Sequence, residues 1–324
     1  PEPFAFSVRA LRALAARLRR GVRYDLVHDV QCLGYGLLGI RALGLPMVTT
    51  IHHPLTVDRR ASFVRDQTTI DAIGTMQFYP IGMQSFVARR MDRVLTSSQN
   101  SGREILRDFG VRRDRLEMVW NGLDTELYSP DPGVSRSETE ILCVGRASDP
   151  NKGIKSLLAA LAKLPSPIRL TLVDAGGSGT EARKWARSLG CADRLDITGR
   201  IPNDDLVNLY RRAALVVVPS RYEGFGLPAV EAMACGTPVV ATSAGALPEV
   251  MQVGGGGLLV PRDDPEALAK AIATLLDQAE TRRAMGARAR PLIEQTFSWP
   301  RVAERTAQIY RQVIEERAPA QRSS

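Results

Sequence analysis

The sequence predicts an α/β protein made of two Rossmann-like domains with parallel sheets, on three observations. Short apolar segments of strand length alternate with stretches of helical periodicity along nearly the whole chain. Strand, helix and strand repeated in this order give parallel sheets covered on both faces. One polar segment interrupts the alternation, and 324 residues suffice for two hydrophobic cores.

Ten segments have the length and apolar character of strands. Four come before the interruption: DLVHDV, MVTTIHH, RVLTSS and LEMVW. Six come after it: TEILCVG, IRLTLVDA, RLDITG, ALVVVPS, PVVAT and GGLLVP. Between them, NGLDTELYSPDPGVSRSETE (residues 121–140) is rich in Gly, Pro, Ser and acidic residues, which is typical of an interdomain linker. We therefore predict a first domain over residues 1–136 and a second over residues 137–300.

The chain begins and ends with helical patterns. In VRALRALAARLRRG, Leu11, Leu14 and Leu18 share one side of a helix. The other side carries Arg9, Arg12, Arg19, Arg20 and Arg23. Either this helix lies on the sheet with a solvated basic face, or the basic face docks on an anionic membrane. A final helix is expected over residues 301–316, followed by a disordered polar tail, RAPAQRSS, over residues 317–324.

The composition indicates a soluble globular protein, with 44% hydrophobic and 24% charged residues. No uncharged apolar run reaches 18 residues, and no signal peptide is visible. Four dispersed cysteines favour reduced thiols and a cytoplasmic location. A net charge of +8 and a pI near 9.6 suit nucleic acid, acidic lipid or a phosphorylated small molecule. No basic run is interleaved with aromatics, so nucleic acid is not expected as a partner.

Two carboxylates flank a glycine turn in SRYEGFGLPAVEAMACGTPVV, residues 220–240. Glu223 precedes Gly-Phe-Gly, and Glu231 lies in the helix that begins near Pro228, a residue suited to a first helical turn. The N–H groups of Gly226 and Leu227, with the helix dipole behind them, predict a phosphate site at the end of the strand. Carboxylates beside a diphosphate would repel it unless they accept hydrogen bonds from neutral hydroxyls, which a sugar and a ribose supply.

A second turn with two cations follows the strand TEILCVG. In VGRASDPNKG, Arg146 and Lys152 are six residues apart across a Ser-Asp-Pro-Asn turn that can fold both over one site. Two cations and a helix N-terminus can stabilise a departing diphosphate without a metal, and no Asp-x-Asp sequence occurs in the chain. Taken singly, Arg146 is equally compatible with a surface ion pair, and Glu231 with a complement to the helix dipole.

Four segments together resemble the retaining glycosyltransferases of family 4. They are VGRASDPNKGIKSLLAAL, PSRYEGFGLPAVEAMACGTPVVATSAGALPEV, VWNGLDTELYSP and FSWPRVAERTAQIY, and the resemblance covers nearly all of residues 24–315. It implies the GT-B fold, in which two Rossmann-like domains face each other and the C-terminal helix crosses back toward the first. It also implies a UDP- or GDP-type sugar donor held mainly by the second domain, no separate cofactor, and an acceptor in the first.

The resemblance implies roles for the residues of both turns. Arg146 and Lys152 bind the diphosphate, Glu223 holds hydroxyls of the donor sugar, and Glu231 takes the ribose hydroxyls. The amides of the glycine turn lie nearby, and the backbone after RLDITG borders the base. These further binding residues are Gly224, Phe225, Gly226, Leu227, Arg200 and Ile201.

The family also has a histidine at a strand end of the first domain, which faces the donor sugar. In VTTIHHPLTV the match falls on His52, with His53 as the second choice. With Arg146, Lys152 and Glu223, His52 completes the set of expected catalytic residues. Two other residues are expected to be structural: His28, inside the strand DLVHDV, and Glu249, after GALP.

Two features depart from the family pattern. The family's first strand and its glycine loop have no counterpart before Val8, so the first domain is expected to be incomplete at its N-terminus. In LVDAGGSGTEA, Gly177, Gly179 and Ala182 spell the G-x-G-x-x-A pattern of a dinucleotide site, with Asp196 downstream. Asp196 lies inside its strand rather than at the strand end, which argues against nicotinamide binding.

We therefore expect a glycosyltransferase that is metal-independent, cytoplasmic and peripheral at the inner face of the membrane. Its acceptor is a sugar, a lipid-linked molecule or a small molecule of cell-envelope polysaccharide or glycolipid synthesis. Two alternatives stay open. A nucleotide-sugar epimerase or a phosphorylase-like enzyme of the same fold would carry further acid and base carboxylates. A non-catalytic sugar-nucleotide binding module would fit an absent first strand.

Overall fold

The chain forms two compact α/β units in this computed structural model, which describes residues 2–52, 81–174, 176–177 and 179–321. The first unit comprises residues 1–120 and 303–324, and the second comprises residues 121–302. Every strand pair in both sheets is parallel. The predicted fold class, two parallel-sheet Rossmann-like domains, is confirmed.

The first unit contains a four-stranded sheet in the order β1-β2-β3-β4. Its strands are β1 (Val27–Val30), β2 (Met47–Thr50), β3 (Arg93–Thr96) and β4 (Leu116–Met118). Its described helices before the second unit are α1 (Glu2–Arg19), α2 (Gly36–Ala42), α3 (Ile81–Ala88) and α4 (Gln99–Phe109), with a 3-10 turn at Arg113–Arg115. All four strands fall inside the segments predicted to form them.

The leucine side of α1 packs on the core of the first unit. Leu11, Leu14 and Leu18 are partly buried against a cluster that includes Leu37 and Ile40 of α2. The two helices approach closely because α2 begins with a glycine. A Cβ atom at Gly36 would lie 2.2 Å from the backbone oxygen of Ser7, whose hydroxyl also accepts a hydrogen bond from the Gly36 amide at 3.1 Å.

The second unit contains a six-stranded sheet in the order β10-β9-β8-β5-β6-β7. Its strands are β5 (Glu140–Val144), β6 (Arg169–Val173), β7 (Leu195–Thr198), β8 (Leu215–Val218), β9 (Val239–Thr242) and β10 (Gly257–Val260). Its described helices are α5 (Ile154–Lys163), α6 (Thr180–Ser188), α7 (Asn203–Arg212), α8 (Leu227–Ala234), α9 (Leu247–Gly254), α10 (Pro265–Asp277) and α11 (Ala279–Phe297). Two 3-10 turns cover Pro150–Lys152 and Ala192–Arg194.

The core of the second unit follows from continuous apolar strands. All residues of β8 and β9 are buried, which is the pattern of central strands covered on both faces. Helices α5 and α10 cover one face, where Leu157, Leu161 and Ile272 are fully excluded from solvent. The strands therefore run in one direction through a packed core and deliver their connecting loops to the carboxyl edge of the sheet.

The segment predicted as an interdomain linker packs in the second unit, so the boundary lies earlier than residue 136. The amide of Leu123 donates to the carbonyl of Phe297 at 2.7 Å, and the amide of Trp299 donates to the carbonyl of Leu123 at 3.2 Å. Arg211 donates to the backbone oxygen of Ser129 at 2.7 Å. Composition suggested an interdomain linker, but long-range backbone hydrogen bonds and an arginine hold the segment in the second unit.

The final helix, α12 (Trp299–Gln321), begins in the second unit and continues in the first. Ile309 and Val313, one helical turn apart, are buried with Val48 and Leu95 of the first sheet. The helix extends into the segment 317–324 that we expected to be disordered, and Arg317 is held there by donating to Asp92 at 2.8 Å. Residues 322–324 lie outside the described part of the chain.

Among the helices that the structure describes, none has both the length and the hydropathy needed to cross a bilayer.

Candidate donor site

Two turns meet at the carboxyl ends of the neighbouring strands β5 and β8. The first turn follows β5 and contains the 3-10 turn Pro150–Lys152, whose amide at Asn151 is capped by the Asp149 carboxylate at 2.9 Å. The second follows β8, and its Arg221 amide donates to the Asn151 carbonyl at 2.7 Å. Since β5 and β8 pair directly, the two predicted motifs lie side by side.

Gly153 allows this close approach. Its φ of +64° lies in the left-handed region, and a Cβ atom there would be 1.9 Å from the backbone oxygen of Pro219 at the end of β8. Any side chain would therefore push the Arg146–Lys152 turn away from the glutamate turn. Only glycine satisfies both the backbone conformation and the available space.

Lys152 and Glu223 form an ion pair across the two turns. The Lys152 ammonium lies 2.9 Å from Oε2 of Glu223, and the hydroxyl of Ser220 donates to the same oxygen at 3.0 Å. The side chains are 28% and 13% exposed, so water screens the attraction only partly. The pair lets a carboxylate and an ammonium share a part-buried site, because each neutralises the other in the free protein.

The backbone of Glu223 is fixed as firmly as its carboxylate. Its carbonyl accepts the Ala246 amide at 2.9 Å, and a Cβ atom at Gly245 would lie 2.0 Å from that carbonyl oxygen. Gly226 takes a left-handed φ of +98° before α8 begins at Leu227. The loop after β9 therefore supports the glutamate turn, and the turn places Glu223 beside the start of α8.

The N-terminus of α8 has the features of an anion site that the sequence predicted. Gly226 occupies the N-cap position without a side-chain cap, and Pro228 lies in the first turn. Within the described residues, the amides of Gly226 and Leu227 have no hydrogen-bond acceptor. Free amides at the positive end of a helix dipole attract negative charge, so this end of α8 can accept phosphate oxygens.

Arg146 lies in the same turn as Lys152, beside the loop after β6. Its guanidinium packs over Gly176, where a Cβ atom would be 3.4 Å from Nη2. The aliphatic stem of Lys152 lies along Gly145, with a hypothetical Cβ contact of 3.5 Å. Arg146 is exposed and forms no ion pair with any described residue. The structure thus brings Lys152 to Glu223 directly and leaves Arg146 on the rim formed by the loop after β6.

Asp174 organises this rim, and sequence reasoning assigned no role to it. It is 1% exposed, and its carboxylate accepts the amides of Ala147 at 3.2 Å and Gly179 at 3.1 Å. A Cβ atom at Gly177 would lie 2.2 Å from the same carboxylate. Both glycine amides of the dinucleotide pattern are therefore occupied by Asp174, Gly179 by its carboxylate and Gly177 by its backbone carbonyl at 3.1 Å. The sequence did contain one sign of this role, because LVDAGG places an aspartate directly at the end of a strand.

Asp196, the downstream acid of the dinucleotide pattern, also argues against nicotinamide binding. Asp196 lies within β7 and pairs with Arg169 of β6 at 3.0 Å on the surface. It is part of a cross-strand ion pair rather than a partner for a ribose.

Glu231 lies in α8, one turn behind the anion site. Its Oε2 accepts a hydrogen bond from the Tyr210 hydroxyl at 2.6 Å, and Tyr210 is completely buried. No described residue bonds to the other carboxylate oxygen. Burial raises the pKa of Glu231, and the Tyr210 hydrogen bond opposes that shift only in part. A desolvated carboxylate with spare acceptor capacity is suited to hydroxyls, and the predicted ribose role stays a prediction.

The other predicted binding residues occupy varied environments. Phe225 is buried with its ring against Phe297, 5.7 Å between centroids, so only its backbone is available to a ligand. Arg200 is exposed, whereas Ile201 lines a cavity of about 320 Å³ with Thr198 and Leu209. Gly224 lies within the glutamate turn. Glu249, expected to be structural, is half-buried in the first turn of α9.

In the first unit, His52 follows β2 with its backbone held at both ends. Its amide donates to Oε1 of Gln31 at 2.9 Å, and its carbonyl accepts from the Ser97 hydroxyl at 3.3 Å. Gln31 itself has a left-handed φ of 55°, unusual for a residue with a side chain. Its neighbour in the sequence, His53, lies outside the described residues. His52 thus stands at a strand end as predicted, and its chemical role stays a prediction.

His28 is held between β2 and α12. Its Nδ1 lies 2.5 Å from the Tyr310 hydroxyl and its Nε2 lies 2.7 Å from Oγ1 of Thr50. Burial lowers the pKa of His28, and the positive charge of a protonated His52 adds to this effect. Both ring nitrogens are satisfied internally, in agreement with the structural role that we expected.

Across the described ranges, no three His, Cys, Asp or Glu side chains come close enough together to hold a metal ion.

Comparison with known protein families gives two matches that together span most of the chain. Residues 1–127 match the model described as Glycosyltransferase Family 4, and residues 124–291 match the one described as Glycosyl transferases group 1. The two matches meet at residues 124–127.

Individual relatives agree with these matches. The chain is 39% identical over 317 residues to an MMP α-(1→4)-mannosyltransferase of Mycolicibacterium hassiacum, covering 97% of this chain and 76% of that protein. It is 33% identical to a D-inositol 3-phosphate glycosyltransferase of Corynebacterium glutamicum, covering 91% and 74%. Among solved structures, a sucrose-phosphate synthase of Thermosynechococcus elongatus superposes with a TM-score of 0.79 at 28% identity, covering 97% and 78%.

The close approach at Gly153 can be tested by Gly153→Ala against Gly190→Ala. Both glycines have left-handed φ angles, but Gly190 has no atom within 4 Å of a built Cβ. The control should lose about 1 kcal/mol of unfolding free energy from backbone strain alone. Gly153→Ala should lose more, because it adds the clash with Pro219. Equal losses in urea unfolding would contradict the steric argument.

Glu231→Gln should make the protein more stable at neutral pH while Tyr210 keeps an acceptor. The folded-state pKa of Glu231 is raised above its ordinary 4.5. Between the unfolded-state and folded-state pKa values the folded protein therefore binds more protons than the unfolded chain, and its stability falls as the pH rises through this range. The melting temperature of Glu231→Gln should therefore exceed wild type at pH 8 and match it at pH 4. The control Glu181→Gln changes an exposed glutamate and should give no such gain. If wild type melts at a higher temperature than Glu231→Gln at pH 8, the pKa of Glu231 is not raised.

Proposed function

The chain belongs to glycosyltransferase family 4, and from this membership we propose a retaining, metal-independent enzyme that moves a sugar from a nucleotide-diphosphate donor to an acceptor hydroxyl. The observation that carries the proposal is the Lys152–Glu223 ion pair beside the N-terminus of α8. It brings a cation, an acceptor of hydroxyl hydrogen bonds and free backbone amides together at the carboxyl edge of one sheet.

The positive groups of this edge suit a departing diphosphate. Lys152, Arg146 and the amides at the start of α8 come from the loops after β5 and β8, which are adjacent strands. Fixed cations and helix dipoles stabilise negative charge as it develops, without reorganising at the moment of reaction. We assign to them the role that a divalent cation would otherwise fill.

The two glutamates suit the neutral parts of the donor. We assign Glu223 to hydroxyls of the transferred sugar, because its carboxylate already accepts a hydroxyl hydrogen bond from Ser220 and stands beside the phosphate site. Glu231 is assigned to the ribose hydroxyls, since burial discourages a cation there and leaves acceptor capacity. Diphosphate oxygens then contact cations and amides, and hydroxyls contact carboxylates.

Retention of configuration follows if the acceptor attacks from the face that the diphosphate leaves. The acceptor oxygen forms a bond to the anomeric carbon, and the bond from that carbon to the diphosphate oxygen breaks with its electron pair on the oxygen. The same oxygen takes the proton of the acceptor hydroxyl. No protein nucleophile is needed, and the cationic edge lowers the cost of charge on the leaving group.

The relatives direct the choice of donor to test first. The 39% identical protein is described as a mannosyltransferase, so we propose a mannosyl donor as the leading candidate. A donor that binds the folded state adds about 2.7 kcal/mol to the unfolding free energy at a hundred times its dissociation constant, which raises the melting temperature. A panel of GDP- and UDP-sugars ranked by this shift identifies base and sugar together.

Donor cleavage tests the assigned residues. Wild type should release GDP or UDP from the preferred donor slowly without acceptor, and Lys152→Ala, Arg146→Ala and Glu223→Ala should each reduce that release by about a hundredfold, since each removes a charge that we assign to the donor site. The matched control is Lys155→Ala, which removes an exposed lysine in the first turn of α5.

Equal release from wild type and these variants, or the same loss in Lys155→Ala, would refute the assignment. The experiment also separates the alternatives. An epimerase converts the donor sugar without releasing nucleotide, and a binding module shows the thermal shift without any turnover.

We further propose that α1 brings the protein to anionic membranes. Its leucine side is used for packing, so contact would rest on the exposed arginines and on Phe4 and Phe6, which are 44% and 50% exposed. Arg9 is paired with Glu2 at 2.8 Å, whereas Arg12 and Arg19 form no ion pair with described residues. Basic side chains near an anionic surface contribute about 1 kcal/mol each.

Vesicle sedimentation tests this proposal. The double variant Arg12→Glu, Arg19→Glu should bind phosphatidylglycerol vesicles at least about tenfold more weakly than wild type at low salt. Arg183→Glu with Arg187→Glu, on the exposed face of α6, makes the same change of charge elsewhere and should have little effect. Unaltered binding of the α1 variant would exclude docking through this helix.

A further inference from the structure

A second concentration of positive charge lies at the opposite edge of the second sheet. A cavity of about 450 Å³ opens between the segments that precede β5 and β9 and the start of α11. Three arginines line it: Arg136, Arg282 and Arg283. Because it lies at the amino ends of the strands, it is separate from the donor site at their carboxyl ends.

Arg136 is a part-buried cation whose described partners are all neutral. Its guanidinium donates to the hydroxyl of Thr237 at 2.7 Å and to the carbonyls of Cys235 and Ala213 at 3.4 Å each. These carbonyls, one at the C-terminal end of α8, carry only partial negative charge. Burial, with a smaller contribution from Arg282, lowers the pKa of Arg136. A buried cation without an anionic partner is costly unless an anion joins it.

Arg282 and Arg283 add positive charge to the cavity, and of the two only Arg282 has an anionic partner among the described residues. Arg282 is 4% exposed and donates to the carbonyls of Leu275 and Leu276 and to the carboxylate of Glu138. Glu138, the only acid among the described lining residues, is 61% exposed and therefore largely hydrated. No described residue forms an ion pair with the exposed Arg283. Three guanidinium groups and one carboxylate therefore line the cavity.

The start of α11 adds to this positive potential. Ala279, the first residue of this 19-residue helix, lines the cavity, and the helix has no side-chain cap. The positive end of its dipole and the arginines therefore act on the same volume. The size suits a small molecule, since ligand sites of about 300–1,000 Å³ are usual.

We propose that this cavity binds a phosphomonoester, whose phosphate group lies among Arg136, Arg282 and Arg283. Planar guanidinium groups donate paired hydrogen bonds to phosphate oxygens, and a group carrying between one and two negative charges at neutral pH balances the surplus of two cations. The site is remote from the donor edge, so it would hold an effector or an anchoring group rather than the transferred sugar.

Phosphate titration tests the proposal in the intact chain. The melting temperature is followed against inorganic phosphate and glycerol 3-phosphate, with sodium chloride holding ionic strength constant. Arg283→Ala should weaken both ligands by about tenfold, because it removes a charge-assisted hydrogen bond from an exposed residue that has no ion-pair partner in the described chain. Arg136→Met should do the same if it folds.

Two controls separate this cavity from the donor site. Arg187→Ala removes an exposed arginine of α6 and should leave both affinities within about twofold. Arg146→Ala, at the donor edge, should leave the Arg283-dependent part of phosphate binding unchanged, so phosphate binding lost in Arg146→Ala and kept in Arg283→Ala would overturn the proposal. The outcome does not depend on whether donor cleavage is observed.

A parallel experiment with phosphatidylglycerol vesicles decides whether the phosphate group belongs to a soluble molecule or to a lipid headgroup. Binding of glycerol 3-phosphate that depends on Arg283, with vesicle binding unaffected by Arg283→Ala, supports a small soluble ligand. Vesicle binding that requires Arg283 while both soluble ligands fail to bind would overturn it in favour of a lipid surface.

Discussion

The close contact between the turns after β5 and β8 is the constraint that shapes the donor site. Gly153 lies against the end of β8 where no side chain fits, and the Arg221 amide bonds to the carbonyl of Asn151. This contact places Lys152 at 2.9 Å from Glu223. Neither charge would be stable alone at this partly buried position, so the two turns support one another electrostatically as well as sterically.

The two glutamates that flank the glycine turn are held in different ways. Glu223 has a cation and a hydroxyl as partners, whereas Glu231 has a buried tyrosine hydroxyl and a raised pKa. A carboxylate kept with little compensation reduces stability, and such costs are typical of functional positions. The two acids are therefore suited to different parts of a ligand, because Glu223 acts beside positive charge and Glu231 offers an acceptor in a drier environment.

Positive charge is distributed over both edges of the second sheet. At the carboxyl edge it comes from Lys152, Arg146 and the start of α8, and at the amino edge from three arginines and the start of α11. Parallel sheets produce this arrangement readily, because every crossover connection begins at one edge and ends at the other. Part of the positive charge of the protein therefore lies at two particular sites of the second unit.

Local patterns along the chain were enough to identify the ten strands, the two α/β units and the two turns of the candidate site. Apolar runs, Gly226 and Pro228 act over a few residues, so propensity and spacing suffice to predict them. The pairing of distant groups emerged only from the folded chain: Lys152 with Glu223, Tyr210 with Glu231, and Asp174 with the amides of two loops. Folding also placed residues 121–136 in the second unit and gathered Arg136 with Arg282. These contacts join residues far apart in the sequence, and their distances follow from strand order and helix packing, which no local pattern encodes.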